Sequence, residues 1–223
     1  MQINRLMDGQ FQNIVVDCDE VLVNITPKWY KKIMDSYHIF KDYFKDLGSL
    51  KEYDIINRDH YYLNTWLKHD HIENVPHEII LEMLKLYSED LEFYDDLKIT
   101  NFGHSIQYLI EHPTLLNKLY ILTHSLSENN IFSKDKFLLR NFDSSKVEII
   151  HIDIQTCKAK FLIEKEINPD LLVDDSPKVL KSYIENFQDK TILHPKMNYN
   201  LILEDELELS HLTNHIFAYN NIL

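Results

Sequence analysis

A chain of 223 residues, 44% hydrophobic and 26% charged, has room for one well-buried core and a small inserted unit, and does not require two full domains. Its formal charge of -13 opposes nucleic-acid polymers and anionic membrane surfaces as partners, because both would be repelled. A small anionic substrate remains compatible where a bound cation supplies local positive charge.

In chain order, the first strand-like run is Asn13-Ile14-Val15-Val16. From Asn24 to Ile99 the pattern turns helical, aromatic and charged, with helices expected over Lys28 to Tyr37, Tyr61 to Lys68 and Val75 to Asp90. Pro76 falls near the start of the last of these, where proline is tolerated. Strand and helix then alternate. Strands are predicted at Lys118 to Leu122, Val147 to Ile150 and Leu171 to Val173, with a fifth at Thr191 to Leu193. Helices are predicted at Phe102 to Glu111, Glu128 to Phe142, Cys157 to Ile167 and Pro177 to Asn186. The strands are branched and leucine-rich without polar alternation, as in a parallel sheet buried on both faces. The fold class is therefore α/β, with a Rossmann-like parallel sheet and a helical insertion after the first strand. Residues 1–23 and 100–223 are assigned to the core and 24–99 to the insertion. From Lys196 onward the tail is acidic and weakly patterned, and Glu204, Asp205, Glu206 and Glu208 read as a solvated face.

Ligands of parallel sheets bind beyond the carboxyl ends of the strands. There the sequence places Asp17 and Asp19 after the first run, Thr123 after the second, and Asp174 and Asp175 after the fourth, with Lys158 and Lys160 between the third and fourth. Clustered carboxylates repel unless a cation lies among them, and hard oxygen donors of this kind suit magnesium. One carboxylate can then attack phosphorus, and another two residues along can serve as general acid and base. Threonine and lysine would hold the phosphoryl oxygens. With three glycines, Gly9, Gly48 and Gly103, the chain has no Gly-rich phosphate loop.

This pattern resembles the haloacid dehalogenase (HAD) superfamily of phosphatases, whose four motifs fall in order on Asp17 and Asp19, Thr123, Lys158, and Asp174 with Asp175. The resemblance implies that Asp17 is the nucleophile and Asp19 the general acid/base. It also implies that magnesium is held by Asp17, the Asp19 carbonyl and the acids at 174 and 175, and that residues 24–99 are a cap domain. Asp17-Cys18-Asp19-Glu20-Val21-Leu22, Phe93-Tyr94-Asp95-Asp96-Leu97 and Leu171 to Pro177 are similar to the 5'(3')-deoxyribonucleotidase branch. That similarity implies a nucleoside monophosphate substrate, with a sugar phosphate or other small phosphorylated metabolite as the alternative. A non-catalytic HAD-like binding module is the third reading.

Several residues carry two readings. Trp29, Tyr30, Tyr61, Tyr62, Trp66 and Phe93 could stack on a base, although aromatics at helical spacing more often form core. Glu20 replaces the glycine common in the family, as an extra acid near the cap or as a solvated side chain. Lys158 is favoured over Lys160 as the lysine of the third motif. His124 and Ser125 either touch phosphate or cap a loop, and capping is favoured. Cys18 and Cys157 are expected to be reduced and buried. The polar start from Met1 to Gln12 and the absence of long apolar runs predict a cytoplasmic protein without membrane spans. Oligomeric state stays open, a dimer included.

Overall fold

A computed structural model describes residues 11–44, 67–68, 74–195 and 216–219. Six strands form one parallel sheet: β1 (Asn13–Val16), β2 (Lys118–Ser125), β3 (Val147–Asp153), β4 (Leu171–Val173), β5 (Thr191–Pro195) and β6 (Ile216–Tyr219). Their spatial order is β3-β2-β1-β4-β5-β6. The helices are α1 (Thr26–Asp35), α2 (Tyr37–Phe40), α3 (His77–Ser88), α4 (Asn101–Glu111), α5 (Glu128–Phe142), α6 (Lys158–Glu164) and α7 (Pro177–Asn186).

Successive strand side chains point to opposite faces, and both faces here are covered. Ile14, Val16, Leu119, Ile121, Leu171 and Val173 face a core shared with Phe102, Ile106, Phe137 and Leu138. Val15, Leu122, Leu172 and Ile192 face a second one with Ala159, Leu162, Leu180 and Tyr183. Burial on both sides explains why the strands read as continuous apolar runs. β6, by contrast, follows the acidic tail and was not expected from the sequence.

Helix starts follow local chemistry. The Ser127 hydroxyl accepts from the Asn130 N–H to cap α5, and Pro177 occupies the first turn of α7. α1 has no neighbouring cap residue and takes its cap from Glu20 instead. Glu20 Oε1 accepts from the Ile25 N–H at 3.1 Å, the Thr26 N–H at 2.8 Å and the Thr26 hydroxyl at 2.6 Å. Its φ of 59° is left-handed, a conformation that costs a side-chain-bearing residue about 1–2 kcal/mol. The buried cap offsets that strain, so Glu20 is not a solvated side chain.

The chain departs from the sheet after Val23 and returns at Ile99, and these two residues pair in an antiparallel bridge. Thr100 fastens the return: its N–H donates to the Leu22 carbonyl and its hydroxyl to that of Val21. Gly103 lies so close that an added Cβ would sit 3.0 Å from the Leu22 oxygen. Between these points Tyr30, Ile33, Phe40, Phe44, Leu67, Val75 and Met83 form a separate apolar cluster. Most of the helix expected at Tyr61 to Lys68 lies outside the described residues, as do Tyr61, Tyr62, Trp66 and the acidic residues of the tail. No helix among the described residues is long and apolar enough to cross a membrane.

Candidate active site

Strand order reverses between β1 and β4, which makes their carboxyl ends the switch point of the sheet. Asp17 continues β1, donating its N–H to the Val173 carbonyl at 2.9 Å, while its Oδ1 accepts from the Cys18 N–H at 2.8 Å. Asp174 and Asp175 follow β4 and are buried. Lys158 opens α6, is 1% exposed, and bridges the two strand ends. Its Nζ lies 2.9 Å from Asp17 Oδ1 and 2.7 Å from Asp174 Oδ2. Lys160 is exposed, so burial separates the two lysines that the sequence left in competition.

Carboxylate oxygens of Asp17, Asp174 and Asp175 all lie within 4.8 Å of one another. Burial would raise the Asp17 carboxyl, but the Lys158 and Lys134 ammoniums outweigh it and hold its pKa below the ordinary value. Asp174 goes the other way. Burial, with the Asp17 charge adding to it, lifts Asp174 to about 6 despite Lys158. Lys158 is itself raised: burial disfavours its charge, and Asp17 and Asp174 more than compensate.

Asp19 occupies a separate niche. Its Oδ1 accepts from the Tyr94 hydroxyl at 2.8 Å and its Oδ2 lies 2.8 Å from Lys134 Nζ. Lys134 also donates to Thr123 Oγ1 at 3.0 Å and to the His124 carbonyl at 2.6 Å. Sequence reading missed Lys134, yet a signal existed. It sits on α5 among Asn130, Ser133, Phe137 and Leu138, all buried, so helical spacing puts a lysine on the inward face. Tyr94 arrives on the segment returning from the insertion, and its N–H donates to the Ser133 hydroxyl. Burial first, then the Asp19 charge, pushes the Tyr94 phenol far above its usual range, so it remains a donor.

His124 Nε2 donates to the Thr156 carbonyl at 2.9 Å, tying β2 to the loop before α6. Burial, then Lys158, lowers the His124 pKa, so the ring is neutral at pH 7. The Ser125 hydroxyl lies 2.8 Å from His151 Nδ1, and His151 Nε2 lies 2.8 Å from Asp135 Oδ1. Both residues thus make local tethers. Cys18 is buried as expected, whereas Cys157, at the start of α6, is only half-buried.

Among Asp17, Asp19, Asp174, Asp175, Lys134 and Lys158, four carboxylates face two ammoniums. The formal excess of two negative charges and the hard oxygen donors fit a divalent cation such as magnesium, with Asp17, Asp174 and Asp175 as its holders. With burial raising Asp174 to about 6, a magnesium ion held there would compete with a proton below that pH. Affinity measured by calorimetry is expected to weaken on going from pH 7.5 to 5, by about tenfold per unit once Asp174 is protonated. Without the cation the sign for stability is opposite, since a raised carboxyl favours the folded state at low pH and loses that contribution as pH rises through about 6.

No family model and no curated protein matches the sequence. Solved structures do match in fold. A protein from Lactobacillus plantarum, provisionally named a phosphoglycolate phosphatase, aligns with a TM-score of 0.54 at 14% identity, covering 91% of this chain and 99% of its own. One from Bacteroides vulgatus, provisionally named a beta-phosphoglucomutase, aligns at 0.54 and 12%, covering 98% and 90%. The beta-phosphoglucomutase of Clostridium difficile aligns at 0.51 and 14%, covering 94% and 92%. At such identities the likeness concerns architecture. The fold is the Rossmann-like α/β class expected from the sequence.

Proposed function

We propose that this chain is a magnesium-dependent phosphohydrolase of HAD type that acts on a small phosphorylated metabolite, with a sugar phosphate the favoured class. The observation that carries this reading is the placement of Asp17 beside Lys158, Asp174 and Asp175 at the switch point of the sheet. Held by the three carboxylates, magnesium would offset the negative charge of the phosphate oxygens. An Asp17 oxygen bonds to phosphorus as the ester P–O bond breaks, and Asp19 gives a proton to the departing oxygen. Water then attacks the phosphorus of the aspartyl-phosphate, Asp19 takes its proton, and inorganic phosphate leaves with the Asp17 carboxylate restored. Lys158 uses two of its three donors on Asp17 and Asp174, which leaves one for a phosphoryl oxygen.

Support for a small phosphorylated metabolite comes from the names of the structural relatives, a phosphoglycolate phosphatase and two beta-phosphoglucomutases, the latter pointing to a sugar phosphate. The nucleotide reading has less behind it. Phe93 is fully buried, Tyr30 belongs to the core of the insertion, and the Tyr94 hydroxyl is engaged by Asp19. Trp29 donates its indole N–H to the Met83 carbonyl. These aromatics serve as packing, the reading their spacing favoured.

The test is phosphate release from sugar phosphates, phosphoglycolate and nucleoside monophosphates, with magnesium and with EDTA. Magnesium-dependent release, fastest from a sugar phosphate or phosphoglycolate, is expected. A nucleotide turned over a hundredfold faster would reverse the substrate assignment, and no release from any ester would remove the hydrolase reading.

A further inference from the structure

Two lysines reach the candidate site, and the partners of their ammoniums differ. Lys158 contacts two carboxylates and keeps a donor in reserve. Lys134 has all three donors committed, to Asp19, Thr123 and the His124 carbonyl. A saturated, 1% exposed ammonium cannot take a substrate oxygen without giving up one of these contacts.

What Lys134 does join is the end of β1 to the end of β2. Asp19 lies past the last ladder residue of β1, two residues from the like-charged Asp17, and its neighbour Glu20 is left-handed. Little in its own backbone fixes its side chain, and repulsion from Asp17 would favour its turning away. Lys134 holds one carboxylate oxygen and Tyr94 the other. We propose that Lys134 is a positioning residue that, with Tyr94, fixes the Asp19 carboxyl group for proton transfer, and is not a ligand of the substrate phosphate. This assignment rests on the phosphohydrolase reading above.

Leaving-group dependence tests it. A proton from Asp19 matters when a sugar alkoxide departs and matters little when p-nitrophenolate, a stable anion, departs. Lys134→Met is expected to lower kcat/KM on a sugar phosphate by about 100-fold, in the range of general-acid effects, with less than about a fivefold loss of kcat/KM on p-nitrophenyl phosphate. This ratio reports the steps through leaving-group departure and not the later hydrolysis shared by both esters. Asp19→Asn sets the reference pattern for the same pair of esters. Equal losses on both esters from Lys134→Met would reduce Lys134 to a structural role and overturn the proposal. So would a KM raised alike on both esters with kcat retained, the sign of a phosphate ligand. Should Lys134→Met fail to fold, Tyr94→Phe loosens the other oxygen without burying or removing charge. A selective loss of about tenfold on the sugar phosphate is then expected, and equal effects on both esters would overturn the proposal. A parent protein inactive on both esters with magnesium would instead remove the phosphohydrolase reading itself.

Discussion

Asp17→Asn is expected to abolish magnesium-dependent phosphate release, by at least about 10⁴-fold, while leaving the protein folded. The amide has nearly the shape of the carboxylate, and its oxygen can still accept from the Cys18 N–H and from Lys158. Lys158 also retains Asp174, so no buried ammonium is stranded. The one capacity lost is attack on phosphorus by an anionic oxygen. Turnover measured on the best ester from the substrate panel, with circular dichroism as the check on folding, decides the matter. Activity within tenfold of the parent in a folded variant would remove Asp17 as the nucleophile. The same variant separates the enzyme reading from that of a non-catalytic binding module, whose ligand affinity would survive the change.

Elements governed by local chemistry could be read from the sequence with little error. β1 and β4 match their predicted limits because each is a short apolar run closed by carboxylates. α5 and α7 match because Ser127 and Pro177 mark their starts. The placement of Asp17, Asp174, Asp175 and Lys158 followed from the same logic, since strand ends of a parallel sheet must converge. What escaped depended on contacts between distant segments. Tyr94 reaches Asp19 across 75 positions, and Lys134 reaches it from α5, beyond β2 in the chain. Glu20 was ambiguous because its cap partners lie on a helix whose entry angle the sequence does not specify. The half-exposure of Cys157 likewise depends on how α6 meets α7, where its sulfur lies 3.1 Å from the Ser182 hydroxyl. β6 escaped for another reason: Ile216-Phe217-Ala218-Tyr219 is a short apolar run, but it lies beyond a long acidic stretch, and its pairing with β5 joins segments the sequence does not place together.

Lys158→Met should show a double effect, on activity and on stability. Activity is expected to fall by about 10³-fold, because the donor proposed for a phosphoryl oxygen and the ammonium beside the proposed nucleophile would go together. Stability in EDTA is expected to fall by about 3 kcal/mol, as for a buried ion pair deprived of one partner. Asp17 and Asp174 would then face each other without their shared cation, and Asp174, already lifted to about 6, would take up a proton more readily still. A magnesium ion held there would supply the charge that is missing. Its addition should therefore stabilise the variant more than the parent in urea denaturation at pH 7.5, while activity stays low. A variant as stable as the parent in EDTA would mean that Lys158 is not the counter-ion of the pair. Restored activity on adding magnesium would mean that its charge serves folding alone. The expected split, with stability recovered and turnover not, would assign Lys158 to both tasks, as its place between the ends of β1 and β4 suggests.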